Sequence, residues 1–253
     1  MVGERPDVGA LRLRRAHRRP NDPERGQTTR ESGREPDESS KSGCSTDTAI
    51  AAIGSKSRIL NSLLDQMLKD ERFRVGGLVP GPSESEYFLE FFADIVGSFS
   101  SMVHGMYKPA NILLRSAVEN LVRGLAGVLS SEALQTKSVY RLFEIAQNEP
   151  AFTGVSATKI AELHVAYGEL CLFAHSATSH HRSGSTHVAA YMRHDTARMR
   201  EYLRFLERVN SLGLGLLVGC DRNLYLGCTG RVRDTLDDVL PTEVRLWVLG
   251  LRT

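Results

Sequence analysis

An all-α bundle of four to five long helices, preceded by a disordered N-terminal tail, is the architecture this sequence predicts. Three observations lead there. Beyond residue 47, apolar residues recur along most of the chain at the i, i+3, i+4, i+7 spacing of amphipathic helices. No run of alternating apolar and polar residues bounded by turns demands a strand. Residues 1–47 are rich in Arg, Glu, Asp, Pro, Gly and Ser, and bury too little apolar surface to offset the entropy of ordering them.

The tail contains "NDPERGQTTRESGREPDESSKSG", which has no apolar residue. Its "LRLRRAHRR" at 11–19 offers a basic stretch to RNA or an acidic partner, but acids follow closely, which favours a solvated segment. The helical domain then runs over 48–253, with 84–210 as its core. "IAAIGSKSRILNSLLDQMLKDERF" places Ile53, Ile59, Leu60, Leu63, Leu64, Met67 and Leu68 at helical spacing, and "VGGLVPGP" ends that pattern. "PSESEYFLEFFADIVGSFSSMVHGM" opens with serine and glutamates suited to a helix start and carries Phe88, Phe91, Phe92, Ile95 and Phe99. "GMYKPANILLRSAVENLVRGLAG" follows, with Pro109 in its first turn. A shorter helix is expected over "KSVYRLFEIAQN", then a long one near 156–176. "TSHHRSGSTH" reads as a polar loop. "DTARMREYLRFLERVNSLGLGLLVG" opens on an aspartate cap and sets Met199, Leu203, Leu206 and Leu212 on one face. The last thirty residues suggest two short helices around Pro241.

Composition narrows the function classes. A net charge of +2 supplies no strong field toward nucleic acid or anionic membrane. The longest apolar run, near "LGLGLLVGC", falls well short of the ~20 residues that span a bilayer, so no membrane partner is expected. The N-terminus lacks the apolar segment of a secretory signal, and the four cysteines form no CxxC pair, which together indicate a cytoplasmic protein without structural zinc or a disulfide framework. No phosphate-binding glycine loop, GxSxG or HExxH is present, so no cofactor and no metal is expected.

Two polar rows stand out. Asn111, Arg115, Glu119 and Arg123 recur every four residues in a helix whose Leu113, Leu114, Ala117, Val118, Leu121, Val122 and Leu125 fill one broad arc. Ser116 and Asn120 lie on the side expected to face water. The row borders the core, either as a flanking ladder in which Glu119 and Arg123 form the favourable i,i+4 pair, or as a partly covered Arg115–Glu119 pair whose guanidinium can also hold a phosphate. The second row is Tyr167, Cys171 and His175, with His164 on an adjacent line. His175 suits either a helix C-terminus or acid–base chemistry near neutral pH.

Together, "GMYKPANILLRSAVENLVRGLAG" and the later "YGELCLFAHS" resemble the helical HEPN superfamily (higher-eukaryote and prokaryote nucleotide-binding), in its branch with an "LLRS..E" helix and a later "Y.EL...H" helix. The resemblance implies an RNA-binding or metal-independent RNA-cleaving effector of toxin or antiphage type. It implies an Arg followed at four to six residues by a His, in which Arg orients the phosphate and His takes the 2′-hydroxyl proton. Arg182 and His187 in "RSGSTH" have this spacing, as do Arg12 and His17 in the tail. The implied site comprises His175, Arg182 and His187 as catalytic groups, lined by Arg115, Glu119 and Tyr167. RNA and a second copy or partner protein are the candidate partners. The resemblance leaves Asn111 and Arg123 as surface support, and a non-catalytic helical interaction module fits the same features.

Overall fold

The computed structural model describes residues 73–175, 194–228 and 230–251, with scattered positions between 48 and 63. The tail over 1–47, together with Arg182 and His187, lies outside the described residues. Among the described residues the protein is all-α. Four long helices form the bundle: α1 (Pro82–Val103), α2 (Tyr107–Leu129), α5 (Val155–Ala174) and α6 (Thr196–Cys220). Between them lie the short α3 (Ser131–Gln135) and α4 (Val139–Asn148), and after them α7 (Arg222–Gly227), α8 (Gly230–Val239) and α9 (Thr242–Val248). The C-terminal region therefore holds one short helix more than the two expected, and Pro241 separates the last two. The described positions between 48 and 63 are also helical, with Ile59 and Leu63 buried as their spacing implies.

Local chemistry accounts for the boundaries. The "VGGLVPGP" break is a tight turn in which Val75 and Leu78 exchange backbone hydrogen bonds around Gly76 and Gly77, both at positive φ. Gly81 and Pro82 begin α1, and no side chain caps it, so its serines do not perform the capping that the sequence suggests. Gly105 (φ 73°) turns the chain out of α1, and its N–H reaches the carbonyl of Met102 at 2.8 Å. The chain then reverses into α2, which packs along α1. Asp195 caps α6 as expected, accepting from the N–H groups of Ala197 (2.9 Å) and Arg198 (3.1 Å).

The helix α2 is central: it packs on α1, α5 and α6 and buries Leu114, Ala117, Val118, Leu121, Val122 and Leu125. Gly124 admits the Phe88 ring, which a Cβ at that position would meet at 3.0 Å. The glycines of "LGLGLLVG" act in the same way: a Cβ on Gly219 would lie 2.8 Å from Ser156 Oγ, so α6 and the start of α5 are in close contact. The few buried polar groups are mostly partnered. Ser98 and Tyr202 share a hydrogen bond of 2.6 Å, and the Lys159 ammonium lies between Glu162 (2.9 Å) and Glu243 (2.8 Å). Among the described residues, no helix is long and apolar enough to cross a membrane.

Candidate phosphate site at Arg115

The two polar rows meet where α2 crosses α5. Arg115 Nε donates to Cys171 Sγ at 3.2 Å, Nη2 donates to the Tyr167 hydroxyl, and the guanidinium carbon lies 4.8 Å from the Tyr167 ring centroid. Tyr167 and Cys171 are one turn apart, so a single face of α5 grips the guanidinium at two of its nitrogens. Burial opposes the positive charge, but the bonds to Cys171 and Tyr167 more than offset it and raise the Arg115 pKa. Burial also pushes the Tyr167 phenol well above its ordinary value, against the pull of Arg115, so the ring stays neutral and accepts from the arginine. Nη1 of Arg115 has no partner among the described residues.

His175 lies one turn beyond Cys171, on the flank of α5 that carries Tyr167 and Cys171. It is the C-cap of α5, its N–H bonds the Cys171 carbonyl at 3.1 Å, and it is exposed. His164, on the same flank nearer the start of α5, is stacked on Phe143 with ring centroids 4.4 Å apart and planes 10° apart. Its ring has a packing role. Arg182 and His187, the remaining groups implied by the resemblance, lie outside the described residues.

The rest of the first row follows the flanking-ladder reading in its ion pair and departs from expectation in its burial. Glu119 pairs with Arg123 at 2.9 Å and not with Arg115, which is the favourable i,i+4 order. Arg123 and Asn111 are not surface support: they are 6% and 3% exposed. Nη1 of Arg123 donates to the carbonyls of Ala133 and Thr136, both at 2.8 Å, closing the end of α3. Asn111 donates to the Tyr107 carbonyl at 2.9 Å, while its own Oδ1 is buried without a partner. Ser116 and Asn120 do not simply face water, since Asn120 Nδ2 donates to Asp94 Oδ2 of α1 at 2.9 Å and Ser116 also bonds that carboxylate.

A separate groove of about 260 Å³ opens between α5 and α6, lined by Glu169, Glu201, Arg204, Phe205 and Arg208. Arg208 is bonded to Glu169 across it at 2.7 Å, so acid and base are balanced there. Arg115 and His175 do not line this groove. The grip of Cys171 on Arg115 leaves one trace in the sequence, the four-residue spacing of Tyr167 and Cys171.

Compared with known protein families, curated proteins and solved structures, the chain matches none.

Proposed function

We propose that this is an RNA-binding helical protein of HEPN-like type, in which Arg115 holds a backbone phosphate. One observation carries the reading: a guanidinium fixed by Tyr167 and Cys171, with Nη1 left unengaged by any described residue, on the same flank as the exposed His175. Arginine suits this role because its planar fork stays charged and binds phosphate oxygens with defined geometry. Two contacts hold the fork before a ligand arrives, so less entropy is lost on binding. An exposed imidazole beside a phosphate is in turn suited to proton transfer near neutral pH. In a cleaving member, the imidazole takes the 2′-hydroxyl proton, the 2′-oxygen bonds to the adjacent phosphorus, and the 5′-oxygen leaves as its own bond to phosphorus breaks, taking up a proton from water. Arg115 would offset the charge that builds on the phosphoryl oxygens.

The test is incubation of the purified full chain with total RNA in EDTA, together with a binding titration. Wild type is expected to retain RNA, and Arg115→Ala to lose about tenfold or more in affinity, the value of one charged contact. Tyr167→Phe should weaken binding less, because it frees the fork without removing its charge. Loss of cleavage in His175→Ala or His187→Ala, with binding retained, separates chemistry from binding. If wild type binds no RNA at about 50 mM salt, the reading fails. The second reading, a non-catalytic interaction module, is favoured by an exposed apolar line on α1, where Leu89, Val96 and Val103 are about half exposed.

A further inference from the structure

The guanidinium of Arg115 stands at one end of a run of rings whose other end reaches the surface. From Arg115 the contacts pass to Tyr167 (4.8 Å to the ring centroid) and from Tyr167 to Phe143 (centroids 5.8 Å apart). Phe143 stacks on His164, and His164 meets Tyr140 with centroids 5.8 Å apart and planes at 65°. Burial falls along the run: Tyr167 and Phe143 are buried, His164 is half-buried, and Tyr140 is 61% exposed. Among the described residues, Tyr140 is the one Phe, Tyr or Trp side chain that is exposed. Helix geometry puts it there. Tyr140 and Phe143 are three apart in α4, so they share the face that meets His164 of α5. Ser138 caps α4, its hydroxyl accepting from the N–H of Arg141 at 3.3 Å, so Tyr140 sits in a fixed first turn. Phe143 backs His164, and His164 braces Tyr140, so a partner laid on the exposed ring orders little that is not already ordered.

The way from this corner to Arg115 is open. His164, Gly168 and Cys171 lie on one flank of α5, within an arc of about 60°. From His164 to Cys171, which bonds Arg115, the helix rises about 10 Å, comparable with the reach from a base to a neighbouring phosphate. Gly168 carries no side chain between them, and a Cβ on it would meet nothing within 4 Å. The acids around the corner are engaged. Glu132 and Glu144 bond Arg141, Glu119 bonds Arg123, and Glu162 bonds Lys159. Arg141 serves two glutamates, and Lys137, exposed three residues before Tyr140, adds a further positive charge. An exposed π face and a fixed cation, joined by bare helix, match a base and a phosphate of the same strand. A duplex buries both faces of its bases and cannot use the ring, whereas an unpaired base can.

We propose that Tyr140, braced by His164, is a stacking platform for an unpaired base of the RNA whose phosphate Arg115 holds. This rests on the Arg115 reading and adds its ligand class, single-stranded RNA in preference to duplex.

The test titrates the full chain against a labelled RNA strand of about ten alternating A and C nucleotides, which does not pair with itself, and against the same strand without bases. Tyr140→Ala should weaken binding of the intact strand about tenfold with circular dichroism unchanged. Tyr140→Leu, which keeps bulk without the π face, should do the same, while Tyr140→Phe stays within about twofold of wild type. On the baseless strand, and on the intact strand annealed to its complement, Tyr140→Ala and wild type should bind alike. Salt separates the two contacts. Arg115→Ala should flatten the slope of log affinity against log salt by about 0.7, and Tyr140→Ala should leave it unchanged. Equal binding of the intact strand by wild type and Tyr140→Ala, a Tyr140→Phe as weak as Tyr140→Ala, or an equal loss on the baseless strand would each overturn the platform. The Arg115 reading would survive any of these if its own slope still changed. A wild type that binds neither strand overturns both.

Discussion

Replacing Arg123 by alanine tests how the end of α2 is held to the chain that follows it. The guanidinium is almost fully buried and makes three hydrogen bonds: two to the carbonyls of Ala133 and Thr136 and one to Glu119. Hydrogen bonds from a charged group contribute about 1.5 to 3 kcal/mol each. The two carbonyl bonds alone would then come to roughly 3 to 6 kcal/mol. Thr136 is half-exposed and Ala133 is buried, so water can replace the arginine at one carbonyl but not at the other. That lowers the expected loss to about 3 to 4 kcal/mol. The Glu119 bond adds little, since a partly exposed i,i+4 pair is worth about 0.3 to 0.5 kcal/mol. Urea titration of Arg123→Ala should show this loss, and melting should fall by roughly 6 to 16 °C for a domain of this size. Glu119→Gln is the control, with an expected cost below about 1 kcal/mol. A cost for Arg123→Ala within about 0.5 kcal/mol of zero, or a Glu119→Gln cost equal to it, would refute the assignment of Arg123 as the clamp on α3.

Two glycines inside long helices should respond in opposite directions to alanine. Gly168→Ala meets nothing within 4 Å and should stabilise by about 0.5 to 1 kcal/mol through helix propensity, whereas Gly124→Ala drives its Cβ to 3.0 Å from Phe88 and should destabilise by about 1 to 3 kcal/mol, both read by urea melts. The Asp94 carboxyl supplies a pH signature. Burial raises its pKa and Glu90 and Glu119 add repulsion, while hydrogen bonds from Ser116 and Asn120 pull the other way. The folded state thus keeps a proton that the unfolded state has already released, and this group's contribution to stability falls as pH rises from the ordinary carboxylate value through the raised one. Asp94→Asn should accordingly gain stability relative to wild type between pH 4 and pH 7; a difference that is flat or moves the opposite way contradicts the burial of this carboxyl.

The helices were legible because burial imposes a period that survives in sequence. Leu203, Leu206 and Leu212 are buried as their spacing implies, and Asp195 caps α6 as its position implies. At the start of α1, Ser83 and Ser85 resemble helix-start residues, yet Gly81 and Pro82 set the boundary one step earlier and no side chain caps it. The polar row was harder. Periodicity gives the angle of a side chain around its own helix but not which neighbour covers that angle. The burial of Arg123 depends on α3 folding back beside the end of α2, and nothing in the sequence of α2 encodes that return.

A row of residues four apart is easily mistaken for one surface. Each step overshoots a turn by about 40°, so Asn111 and Arg123 differ by about 120° around α2 and cannot face the same element. The row begins on the side of α2 toward α5, where Arg115 meets Tyr167 and Cys171, and ends at α3, where Arg123 meets two carbonyls. Glu119, between them, is bound to the second arginine. The two arginines therefore have separate consequences. Arg115 keeps part of its fork unengaged among the described residues, so its loss should appear mainly in ligand binding. All three hydrogen bonds of Arg123 are internal, so its loss should appear in stability. Arg115→Ala with near-wild-type melting and weakened RNA binding, beside Arg123→Ala with the reverse, is the pattern this division requires. Equal effects of both on either measurement would mean that the row acts as one unit after all.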